Sequence, residues 1–235
     1  MGSLCSICAE TNPAFTATGG SLEENAEKSI SMAERKCPIS RKPPNNIRNS
    51  IKGEAQNGRL SLTQVKRAGG SLGLEKEDLQ NPDSTTFHFL NSLADDGQEF
   101  DEHFMVICSL LISGSSNKDK AIAFFEIFDK DGNKTIKTRE VTRFAKDCFD
   151  ASVDKLPNLA KGSSTLVSQG ITDYIGKLKP HREKFAEDTV QIILKGQPEL
   201  GQAQFIDVVL REAPFAVSSS GIRCEVYKNY VLKGN

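Results

Sequence analysis

Twelve residues constrain this chain more than any other stretch: Asp129 to Glu140, DKDGNKTIKTRE. Side-chain oxygens recur at every second position, on Asp129, Asp131 and Asn133, and a tight turn folds such a series onto a common centre. Glu140 closes the stretch and can reach back with both carboxylate oxygens, while Thr135 would supply its backbone carbonyl. Calcium is a hard cation that takes six to eight oxygens, and this order of donors suits it. Lys137, at the ninth place, cannot coordinate, but a water often serves there. Apolar residues flank the loop at helical spacing: Phe124, Phe125, Ile127 and Phe128 before it, Val141, Phe144 and Cys148 after it. The expected unit is helix, ion-binding loop, helix, with Asp129, Asp131, Asn133, Thr135 and Glu140 holding one Ca2+.

One residue disagrees. The sixth place requires a left-handed backbone, which glycine adopts freely and lysine adopts at a cost of roughly 1 kcal/mol or more. Here that place is Lys134, which also brings a positive charge near the cation. The loop is expected to be weakened rather than abolished, binding calcium toward the weak part of the roughly 10⁻⁷–10⁻⁵ M sensor range or below it.

Three further segments carry eroded versions of the pattern. Gly53 to Gln64 keeps Asn57-Gly58-Arg59-Leu60, but Gly53 and Ala55 stand where ligands are needed. Asp95 to Phe104 resembles the end of such a unit, with His103 at the place of the closing acid and the register set only to within one residue. QPELGQAQFIDVV places Leu200 at the eighth position and Gln204 at the twelfth. Gln64 and Gln204 replace the bidentate carboxylate. The eighth-place residues Leu60, Phe100, Ile136 and Leu200 lie 40, 36 and 64 residues apart. The first two intervals suit consecutive helix–loop–helix units. The third implies an insertion at about 152–180, with its own helix near Leu166 to Leu178.

DKDGNKTIKTRE and its flanks resemble the EF-hand superfamily, and the four-unit layout over about Lys52 to Glu212 is similar to that of calmodulin-related sensors. The resemblance implies an all-α fold of two pairs of mostly degenerate hands, at 51–115 and 116–213, each pair joined by a short β-bridge. Only the third hand is expected to bind calcium. A C-terminal tail, 214–235, would follow. No segment shows sustained period-2 alternation.

Residues 1–50 read as a flexible arm, rich in Ser, Thr, Asn, Gly and Pro. The chain opens MGSLCSIC, which fits N-myristoylation at Gly2 with Ser6 in support, and Cys5 and Cys8 are placed for palmitoylation. Two lipid signals anchor stably where one does not. Arg35, Lys36, Arg41, Lys42, Arg48 and Lys52 face one acid, Glu34, and would favour an anionic membrane surface. An acylated arm ahead of EF-hands resembles neuronal calcium sensors, calcineurin-B-like sensors and trypanosomatid flagellar calcium-binding proteins. That implies a cytoplasmic protein tethered to the cytosolic face of a membrane, such as the flagellar or plasma membrane.

Composition narrows the remainder. The formal net charge is −1, which gives no bias toward nucleic acid. No apolar run is long enough to span a bilayer. The six cysteines are scattered, and Cys5-x-x-Cys8 lacks a second pair that would complete a zinc site. A reduced intracellular chain, with Cys108 and Cys148 in the core, is expected. The three histidines, His88, His103 and His181, fall in no hydrolase, metalloprotease or nucleotide-binding pattern, so no catalysis is expected. Three roles remain: a membrane-tethered sensor engaging a target helix through an apolar groove, a calcium buffer, or a calcium-independent adaptor on the same scaffold. A buffer would favour several tight sites, which this chain lacks.

Overall fold

The computed structural model describes residues 21–94, 99–160 and 165–233, and it is mostly helical with two short strand pairs. From Ser21 onward the expected flexible arm is ordered, and that expectation is corrected. Helix α1 (Leu22–Lys36) begins at a capping box in which the Glu24 amide donates to Ser21 Oγ and the Ser21 amide donates to Glu24 Oε2. Glu23 and Glu24 in its first turn and Arg35 and Lys36 in its last complement the helix dipole. Its inner face buries Ala26, Glu27, Ile30 and Glu34. A 3₁₀ turn, Pro38–Arg41, buries Ile39 and leads to α2 (Pro44–Glu54), opened by a proline at its first position and burying Ile47 and Ile51 one turn apart. Residues 1–20, including Gly2, Cys5 and Cys8, lie outside the described residues.

The next elements follow the expected helix–loop–helix rhythm. Strand β1 (Arg59–Ser61) leads into α3 (Leu62–Leu72), α4 (Thr85–Leu93) precedes β2 (Glu99–Asp101), and α5 (Glu102–Ile112) follows it. Helix α6 (Asn117–Phe128), β3 (Thr135–Lys137) and α7 (Thr138–Asp150) form the third unit; α9 (Arg182–Leu194), β4 (Glu199–Gly201) and α10 (Gln202–Glu212) form the fourth. Each strand pair is antiparallel, and Leu60 faces Phe100 while Ile136 faces Leu200. All four of these side chains are buried.

That register fixes the second unit. With Phe100 opposite Leu60, the place four residues on is Phe104, not His103. His103 sits one residue earlier, and its Nε2 lies 2.8 Å from Asp147 Oδ2 on α7.

Between the third and fourth units α7 runs on through a π turn (Ala151–Lys155) and a 3₁₀ turn (Leu156–Ala160), and α8 (Thr165–Leu178) follows. Helix α8 lies in the stretch read from sequence as an insertion, and it packs on α1: Lys177 pairs with Glu23, and the Tyr174 hydroxyl donates to Glu27 Oε2 at 3.3 Å. The tail folds as well. After a 3₁₀ turn (Pro214–Val217), α11 (Ser219–Val226) drives Arg223 into the interior. Its Nε and Nη2 donate to Glu27 at 2.7 and 2.9 Å, and its Nη1 donates to Glu34 Oε1 at 2.8 Å and to the Ser152 carbonyl at 3.0 Å. Burial opposes the guanidinium charge, but the two carboxylates outweigh it and hold Arg223 firmly protonated.

The core is one continuous apolar cluster. Around the third and fourth units it is built of phenylalanines: Phe144 lies 5.4 Å from both Phe124 and Phe128, and Phe205 lies 5.7 Å from Phe125 and 5.8 Å from Phe144. Fully burying one such side chain contributes about 1.5–3 kcal/mol. Cys37, Cys108, Cys148 and Cys224 are buried. Burial pushes the Cys37 thiol up to about 12 and raises those of Cys108 and Cys148, so these three behave as inert core residues.

Candidate metal centre

The loop between α6 and β3 has six residues, 129–134, whereas the corresponding stretches 55–58 and 195–198 have four. The longer loop has room to turn around an ion; the shorter ones turn directly into their strands. They do so through left-handed Asn57 and Gly58 in one case and Lys195 and Gly196 in the other. In the longer loop the left-handed residues are Gly132, at φ 68°, and Lys134, at φ 63°. Lys134 therefore takes the backbone that the sixth place requires, despite its side chain.

What holds it there is the first carboxylate. The Lys134 amide donates to Asp129 Oδ2 at 3.0 Å. Asp129 ends α6, its own amide donating to the Phe125 carbonyl. Its second oxygen, Oδ1, is shielded from solvent and has no hydrogen-bond partner. A buried carboxylate oxygen without a donor is costly unless a cation meets it.

Asp131 and Glu140 complete the cluster: one carboxylate oxygen from each of Asp129, Asp131 and Glu140 lies within 4.8 Å of the others. Three like charges at that separation repel one another, and a shared divalent cation reverses the sign. Asp131 is exposed, and the Asn133 amide donating to it holds its carboxyl below the usual range, with Lys137 helping. Lys137 Nζ lies 3.6 Å from Asp131 Oδ2, where it competes with a cation for the same oxygen.

Asn133 and Thr135 are arranged differently from Asp129, Asp131 and Glu140. Asn133 Oδ1 accepts from both the amide and the hydroxyl of Thr135, at 2.7 Å each, and its Nδ2 donates to Asp131 Oδ2 at 2.8 Å. Thr135 starts β3, and its hydroxyl also reaches Glu199 Oε2 on β4, at 3.2 Å. Sequence reading missed Glu199. The signal was present, because Glu199 precedes the eighth-place residue Leu200 and is carried beside the loop by the strand pair.

The twelfth places share a role that needs no metal. Glu140 Oε2 accepts from the Lys137 amide at 3.0 Å, Gln64 Oε1 from Ser61 at 2.7 Å, and Gln204 Oε1 from Gly201 at 3.1 Å. Each caps the helix that follows. Gln64 and Gln204 keep this role without the charge, which explains how the pattern survives in loops that offer no set of side-chain oxygens. Among the described residues, Asp129, Asp131 and Glu140 form the one acidic or thiol/imidazole cluster of metal-binding dimensions. No helix among the described residues is long and apolar enough to cross a membrane. No protein-family model and no curated protein matches this sequence.

Proposed function

We propose that this chain is a calcium-binding EF-hand protein with one working site, made by Asp129, Asp131, Asn133, Thr135 and Glu140. It would be tethered to a membrane by acylation at Gly2, with Cys5 or Cys8 as a second lipid site, and would act as a sensor for a target helix. The observation that carries the metal reading is the unpartnered, buried Asp129 Oδ1 on a member of a three-carboxylate cluster. All-oxygen, carboxylate-rich donors select calcium or magnesium over softer metals. The residue pairs Leu60–Phe100 and Ile136–Leu200 support a two-pair arrangement of hands. On binding, Asn133 Oδ1 would exchange Thr135 for the ion, and Lys137 would give up Asp131.

A second reading is favoured by the other three units. They keep strands and packed helices while lacking ligands, as a calcium-independent adaptor would. The two readings part in a calorimetric calcium titration with magnesium present, run beside Glu140→Gln. A single site in the parent, absent from Glu140→Gln at unchanged helical content, supports the sensor. No heat at millimolar calcium leaves the adaptor. The tether is tested separately: Gly2→Ala is expected to move the protein from the membrane fraction to the soluble one, and unchanged fractionation rejects it.

A further inference from the structure

A cleft of about 770 Å³ lies between α1, the α5–α6 connection, the start of α6 and α11, and none of the three clustered carboxylates lines it. Lys120, from α6, lines it and is only 4% exposed. Lysine is almost never buried without a counter-ion. The Lys120 ammonium has three donors, and its one acceptor among the described residues is the Leu111 carbonyl at 3.2 Å. Among the described residues no carboxylate comes within ion-pair distance of it.

The acids that line the cleft are engaged elsewhere. Glu34 is held by Arg223, Glu212 pairs with Lys195, and Glu225 accepts from Asn229. Of the cations, Arg211 pairs with Asp207, while exposed Arg35 has no carboxylate within reach among the described residues. The first turn of α11 adds Ser219, Ser220 and Gly221 to the wall. A helix start carries the positive end of the dipole; here Ser218 Oγ caps it and accepts from the Gly221 amide at 3.4 Å. A Cβ on Gly221 would come within 2.8 Å of the Phe215 carbonyl oxygen, so glycine lets α11 pack directly on the preceding turn. Cys224, on the same helix, also lines the cleft and is buried.

We propose that this cleft binds a phosphate group, with Lys120 as its buried counter-ion and Arg35 at its rim. The size of the cleft leaves room for an organic portion beyond the phosphate. Desolvation draws the Lys120 ammonium down to about 8, with Glu34 opposing, so it still carries its proton at neutral pH, and a bound dianion would extend that protonated range to higher pH.

The test follows the Lys120 ε-methylene NMR resonance through a pH titration with and without inorganic phosphate, beside calorimetry. Phosphate is expected to raise the Lys120 midpoint by a unit or more. Lys120→Met should abolish binding, and Arg35→Gln, on an exposed side chain, should weaken it several-fold without loss of fold. A parent protein that shows neither heat nor a shifted Lys120 midpoint at tens of millimolar phosphate overturns the proposal. Arg35→Gln and Lys120→Met variants that bind phosphate like the parent overturn it equally. Glycerol phosphate and phosphatidic acid vesicles then separate the sources. Saturation by the soluble ester identifies a free metabolite, and preference for vesicles over the ester identifies a lipid headgroup.

Discussion

Replacing Arg223 by methionine probes the feature that sequence reading missed most completely. Arg223 is fully buried, as are Glu27 and Glu34 to within a few per cent, and it contacts both carboxylates at 2.7–2.9 Å. Removing it leaves two acids in the interior with the Tyr174 and Ser31 hydroxyls as the remaining side-chain donors among the described residues, both to Glu27. Breaking one buried pair by deleting a partner costs about 3–5 kcal/mol, a large share of the roughly 5–15 kcal/mol that stabilises a typical fold. For a domain of this size each kcal/mol moves Tm by about 2–4 °C, so the expected fall is about 6–20 °C. Urea unfolding followed by circular dichroism gives the free energy directly. A companion variant, Glu27→Gln with Glu34→Met and Arg223→Met, removes all three charges and keeps an acceptor for Tyr174. It should recover more than half of the loss, because the penalty comes from stranded charge. A loss below about 1 kcal/mol for Arg223→Met alone, or a triple variant no better than the single, would refute this account.

Lys134→Gly should relieve the left-handed strain, worth about 1–2 kcal/mol in an L-residue, against roughly 0.5–1 kcal/mol of added chain entropy. Metal-free stability should therefore rise by up to about 1 kcal/mol, and calcium affinity should rise with it; weaker binding in calorimetry would contradict the geometry. Lys120 predicts a pH dependence. Its folded-state value of about 8 lies below the ordinary 10.5, so between those values the unfolded chain holds the extra proton. Its contribution to stability then grows with pH through that window, by on the order of 3 kcal/mol. The tyrosine and cysteine groups titrate nearby, so the readout is the difference between the parent and Lys120→Met, which should lack this rise.

The third unit was legible because its chemistry is written in adjacent residues: alternating donors, Ile136 and two apolar flanks. Leu60, Ile136 and Leu200 each sit four residues before a side chain that caps the next helix; the second unit was harder to register because Phe104 holds that place and Asp101 does the capping. The arm was misread because α1 is short on large apolar residues. Its inner face carries Ala26, Ile30, Glu27 and Glu34, and two glutamates look like solvent residues until their arginine is known. That arginine comes 196 positions after Glu27, beyond any periodicity. The start of α1 was nevertheless readable, as Ser21 and Glu24 spell a capping box. Lys120 was hidden for the same reason as Arg223. A helix pattern tells which face is inward, but not which charge the fold will enclose.

Under the proposed function, the pairing of Ile136 with Leu200 would separate input from output. The loop that gathers the carboxylates is on β3, while β4 opens α10, whose Phe205 rests on Phe125 and Phe144. A ligand drawing Asp129, Asp131 and Glu140 together would tug a strand whose partner belongs to a unit with no ligands of its own. The fourth unit then acts as a follower, its position set by its neighbour's occupancy. Thermodynamic reciprocity makes the traffic two-way: whatever seizes α10 also retunes the loop. Substitutions at Leu200 or Phe205, which touch no donor atom, should therefore reset the affinity of the loop for its ion.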